Sequence, residues 1–156
     1  MSFLRFLMLL SLIVWLGGLI FFPVVAQTAF SVLPTRHLAG SVVGRSLSAL
    51  HWMGIVSGMA FLVSSMIYAR LSTGSAHPLA ARHILLFIML ALTLISQFGI
   101  SPKMAALRAS MGEIDSVPVT DPARLQFNAL HLWSTRLESG VLLLGLVVVY
   151  LTATGY

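Results

Sequence analysis

Long apolar runs broken by short polar stretches dominate the chain, and their spacing predicts four membrane-spanning helices. The first run extends from Phe3 to about Phe30, with Arg5 in front of it. Its "VVAQ" stretch, Val24 to Gln27, has the look of a signal-peptidase site. A signal core is shorter than this run, so the segment reads as a retained helix 1. Pro23 lies inside it, where the missing N–H kinks a helix unless neighbours satisfy the freed carbonyl.

"SVLPTRHLAGSVVGR", Ser31 to Arg45, links the first two spans, and Pro34 is placed to start a helix that continues into the apolar stretch Leu47 to Ala69. Helix 2 therefore begins outside the hydrocarbon layer. Gly40, Gly44 and Ser48 recur every four residues, and Gly54 with Gly58 adds a GxxxG, so one stripe of this helix is nearly bare backbone. Such stripes serve close helix packing. The polar turn Leu71 to Arg82 precedes "HILLFIMLALTLISQFGI", which supplies helix 3 up to about Ile100, where Pro102 kinks or ends it. "PKMAALRASMG" then carries Lys103 and Arg108 into the interface, and Asp121 with Pro122 forms a cap-plus-first-position pair opening helix 4, Pro122 to about Thr152.

The expected fold is all-α: an antiparallel four-helix bundle forming a single integral membrane domain over residues 1–156. Composition agrees. The chain is 58% hydrophobic and 8% charged with mean hydropathy +0.99, where soluble domains carry about 25% charge. At 156 residues it has room for about four spans and no separate soluble domain. The net charge of +5 comes from basic residues standing singly at the ends of apolar runs, which fits contact with lipid headgroups and argues against nucleic acid as a partner. Loops 1 and 3 hold Arg36, Arg45, Lys103, Arg108 and Arg124, against Arg5, Arg70 and Arg82 on the other side. That asymmetry points to cytoplasmic loops 1 and 3 in a bacterial inner membrane.

Candidate chemistry concentrates in helix 4. Phe127, His131, Ser134 and Glu138 fall at i, i+4, i+7 and i+11, so an imidazole and a carboxylate share one stripe, while Arg136 points elsewhere and has no evident partner. "ALHW" at Ala49 to Trp52 echoes "ALHLW" at Ala129 to Trp133 and puts His51 and His131 in one membrane layer. Two neutral imidazoles at equal depth would ligate haem b or another tetrapyrrole, with Arg36, Arg45 or Arg124 pairing the propionates and the glycine stripe leaving the gap. The alternative is hydrogen bonding alone: His131 with Glu138, and His51 with a backbone carbonyl. A copper site would need His and the eight Met, which scatter over several faces and read as soft packing. With no Cys there are no thiolate ligands or disulfides, and no Ser, His and Asp arrangement for hydrolysis is readable.

"WLGGLIFFPVVAQTAF", "LPTRHLAGSVVGR", "ISPKMAALR" and "FNALHLWS" together resemble the transmembrane protein 205 family, classed by a domain of unknown function. The features similar to that family's pattern are Trp15, Gly17, Gly18, Pro34, Gly40, Gly44, Pro102, Phe127, His131 and Ser134, whereas Glu138 replaces an amide. More distantly, "WLGG" with histidines at helix ends is similar to copper-resistance D-type proteins and to the haem-binding protoporphyrinogen oxidase of bacterial membranes. The resemblance implies a four-helix membrane fold and lends no reaction. A third role suits so short a chain: a structural or accessory subunit of a larger membrane complex, or a homo-oligomer, with Arg136 or Glu138 satisfied across an interface.

Overall fold

The computed structural model describes residues 1–75 and 80–154; part of the polar turn between helices 2 and 3 lies outside them. Helix α1 is Ser2–Val32, α2 Arg36–Thr73, α3 Ala81–Ile95, α4 Ser101–Met111 and α5 Pro122–Thr154. A π-helical segment, Ser96–Ile100, joins α3 to α4, so four long rods build the bundle and each is long and apolar enough to cross a membrane. Described residues contain no strand.

The termini of these rods follow local chemistry. Thr35 caps α2 by accepting a hydrogen bond from the Leu38 N–H at 3.2 Å, so the helix starts just past Pro34. Gly74 ends it at φ 78°, a left-handed conformation that glycine adopts without a Cβ clash. Asp121 Oδ1 accepts from the N–H groups of Ala123 at 2.8 Å and Arg124 at 3.3 Å, which makes the predicted cap of α5 a real one. Pro23 lies within α1 without ending it.

Pro102 neither ends nor interrupts the third rod. Proline has no N–H to donate to the carbonyl four residues back, and its ring crowds that carbonyl. The chain accommodates this by widening into the π segment just before the proline, where the Ser101 N–H reaches the Ser96 carbonyl. Pro102 then follows directly as the second residue of α4.

Depth can be read from α3 and α4. Residues 83–102, between Arg82 and Lys103, carry no charge and at 1.5 Å per residue span about 30 Å, the thickness of a hydrocarbon layer. Helix α2, at 38 residues, is about 57 Å long and must project beyond that layer.

The core sits on the glycine seam of α2. Trp15 of α1 is 2% exposed and lies flat on Gly54 and Gly58: a Cβ at Gly54 would fall 2.4 Å from the indole Nε1, and one at Gly58 2.8 Å from Cζ3. Leu90 of α3 presses on Gly58 as well, so two helices approach α2 at one level. Gly145 gives Leu16 and Met89 the same close access to α5. Met8 and Met89 are fully buried in this cluster.

Candidate functional site

A polar chain crosses the bundle where α2, the π segment and α5 meet. His51 is 1% exposed, and both its ring nitrogens are engaged: Nδ1 stands 2.9 Å from Gln97 Oε1 and Nε2 stands 2.6 Å from Glu138 Oε1. Gln97 Nε2 donates in turn to Ser48 Oγ at 2.9 Å, and Ser96 Oγ donates to Glu138 Oε1 at 3.3 Å. Ser134, 5% exposed, lies one turn before Glu138 on α5. The Nε2 and the carboxylate oxygen face each other across the 2.6 Å contact, which ties α2 to α5.

Ser96 and Gln97, adjacent in the π segment, serve this network through different elements: Ser96 reaches Glu138 of α5, and Gln97 reaches His51 and Ser48 of α2. Glu138 keeps 17% side-chain exposure, and its second oxygen, Oε2, has no hydrogen-bond partner among the described residues.

The sequence-predicted residues are only partly brought together. Ser134 and Glu138 face inward with His51. His131 does not: it is exposed, and its ring reaches neither His51 nor Glu138. The offset runs along the helix rather than around it. His131 lies on the same side of α5 as Phe127, Ser134 and Glu138 yet is exposed, and it is seven residues, about 10 Å, nearer loop 3 than Glu138, which is the α5 residue level with His51. Starting α2 and α5 from their apolar runs rather than from their true helix ends put the two histidines in one layer.

A tetrapyrrole between His51 and His131 does not fit these side chains. His51 has both nitrogens occupied, His131 is exposed about 10 Å nearer loop 3, and the glycine stripe is filled by Trp15 and Leu90 at Gly54 and Gly58 and by Arg108 at Gly40 and Gly44. The arginines assigned to propionates are dispersed: Arg36 meets Asp115 at 3.4 Å, Arg124 Nη1 donates to the Val117 carbonyl, and Arg45 is exposed. No group of three or more His, Asp or Glu among the described residues is arranged to hold a metal ion. Arg136, on the outer face, lies 5.6 Å over the Trp133 ring, one turn back along α5.

Sequence reasoning missed a second polar layer at the opposite end of the bundle. Ser65 Oγ and His83 Nε2 are 2.8 Å apart and both residues are fully buried, while Arg5 Nε donates to the Tyr68 hydroxyl at 2.9 Å. Ser65 with His83 has the makings of a nucleophile and base, but with neither residue exposed a substrate has no route to them. At the His51 site the ring nitrogens meet Gln97 and Glu138, so the network ties α2, the π segment and α5 in one register.

No curated protein and no solved structure matches the chain. A family match covers residues 10–113, more than half of the chain, and includes His51 and Gln97 while α5 with Glu138 lies beyond it. By that match the protein belongs to the family described as Domain of unknown function (DUF4149), a multi-pass membrane protein with no activity assigned to its family.

Proposed function

We propose that the chain is a structural or accessory subunit of a larger membrane assembly, docking through the outer face of α5. The observation that carries this is Arg136. Its guanidinium is exposed, stacks on Trp133, and finds no acceptor among the described residues. Glu138 is level with Ser96, and Lys103 lies further along that same rod, which puts Arg136 roughly 8 Å inside the level of Lys103. A cation at that depth is costly unless it meets a counter-charge or reaches the headgroups. A neighbouring subunit offering a carboxylate or carbonyl there would satisfy the guanidinium.

The same reading takes the membrane to be a bacterial inner membrane with loops 1 and 3 cytoplasmic, on the excess of Lys and Arg at that end. The likeness to the transmembrane protein 205 family in "WLGG", "LPTRHLAG" and "FNALHLWS" is part of it and supplies no reaction. The experiment is extraction of native membranes in mild detergent, with particle mass measured for the parent, Arg136→Ala and Trp133→Ala. A parent particle larger than the 16.9 kDa chain that dissociates in Arg136→Ala supports the reading. Identical monomers from all three would refute it, and a particle of whole-number multiples of the chain would make the neighbour a second copy.

A further inference from the structure

Outside the hydrocarbon layer at the loop 1 and loop 3 end, Arg108 of α4 occupies a slot that no packing argument has yet explained. A Cβ at Gly40 would lie 3.0 Å from its Nε and a Cβ at Gly44 3.1 Å from its Nη1, so the guanidinium lies along the bare backbone of α2. Its Cζ stands 5.5 Å from the centroid of the Phe127 ring of α5. Three helices therefore hold one partly buried cation in place. It has neither a hydrogen-bond acceptor nor an ion-pair partner among the described residues.

A guanidinium carries five N–H donors, and partial burial with none of them satisfied is unfavourable. Of the carboxylates at this end, Asp115 pairs with Arg36, Asp121 caps the first turn of α5, and the exposed Glu113 makes no ion pair with Arg108. Arg45 follows Gly44 on α2, and Arg124 precedes Phe127 by one turn, so the two helices that hold Arg108 carry further cations at this end. Lys103 marks the edge of the hydrocarbon layer, and Arg108, five residues further out, stands roughly 8 Å beyond it at headgroup depth. The planar fork of arginine matches two oxygens of a phosphate.

We infer that Arg108 is the anchor of a phosphate-binding site, its guanidinium aligned by Gly40, Gly44 and Phe127. The phosphate is either the diester of an anionic phospholipid headgroup or soluble inorganic phosphate, two sources with the same recognition chemistry. Gly40 and Gly44 position the arginine; they do not bind the ligand.

The test uses the full chain in detergent. Native mass spectrometry counts bound phosphatidylglycerol and phosphatidylcholine during lipid titrations, and thermal unfolding is followed with added inorganic phosphate. Arg108→Gln is expected to weaken phosphatidylglycerol binding by about tenfold, the loss of one charge-assisted contact worth 1.4 kcal/mol. Gly44→Ala keeps the charge but displaces the guanidinium, so it is expected to weaken binding in the same direction, and it keeps the test decisive if Arg108→Gln fails to fold. Arg36→Gln, which removes an exposed and already paired cation, should bind like the parent. Phosphatidylglycerol binding that depends on Arg108 identifies a headgroup; stabilisation by inorganic phosphate that depends on Arg108, without lipid preference, identifies a soluble ligand. The inference is overturned if Arg108→Gln binds both probes like the parent, if Arg36→Gln loses as much, or if Gly44→Ala changes nothing.

Discussion

Replacing Glu138 by leucine removes the acceptor of His51 Nε2 and of Ser96 Oγ while leaving both donors buried, at 1% and 0% exposure. Breaking a fully buried ion pair in a soluble protein costs about 3–5 kcal/mol. Two features lower that figure here: Glu138 keeps 17% side-chain exposure, and interhelical hydrogen bonds in membranes measure about 0.6 kcal/mol on average and about 1.7 at most. The single variant should therefore lose about 2–3 kcal/mol, most of it from stranding His51. His51→Phe strands Glu138 instead, whose residual exposure makes the loss smaller. The double variant removes both partners at once, and replacing a buried pair by apolar groups is often close to neutral. A double-mutant cycle, with unfolding in mixed micelles followed by tryptophan fluorescence, should return a coupling of at least about 2 kcal/mol. Additivity within about 0.5 kcal/mol would refute the reasoning, because two groups 2.6 Å apart cannot contribute independently.

Gly54→Ala should destabilise by about 1–3 kcal/mol, since its Cβ would meet the rigid Trp15 ring at 2.4 Å, whereas Gly17→Ala, with nothing within 4 Å, should be neutral or stabilising in the same assay. Asp121→Ala removes the acceptor of two N–H groups and should cost about 0.5–2 kcal/mol, with faster amide exchange at Ala123 and Arg124 as the local readout. His131→Ala should leave thermal stability within about 0.5 kcal/mol of the parent, as exposed positions do, so a large loss would place His131 inside the fold after all.

What the sequence made legible was whatever depends on apolar periodicity and local caps. Four rods, the α5 cap at Asp121, the glycine seam of α2 and the inward turn of Ser134 and Glu138 all follow from spacing along one helix. Relations between helices were not legible. His131 and Leu130 differ by one position, and only knowing which elements cover α5 decides which of them is inside. Gln97 reads as a stray polar residue in an apolar run until the packing of α2 against the π segment sets it beside His51 and Ser48. Pro102 signalled a break, but a widened turn absorbed it, and no single-helix template anticipates that. Arg108 looked like an interfacial anchor, and its slot exists only because α2 presents two bare glycines to it.

The most direct test of the account is nitrogen NMR of the protein labelled at histidine with 15N, comparing the parent with Glu138→Gln and assigning signals from His51→Gln and His131→Gln. The His51–Glu138 clamp predicts that the His51 ring resonances move in Glu138→Gln, Nε2 most, while those of His131 stay put. Unchanged His51 signals, or movement confined to His131, would contradict it.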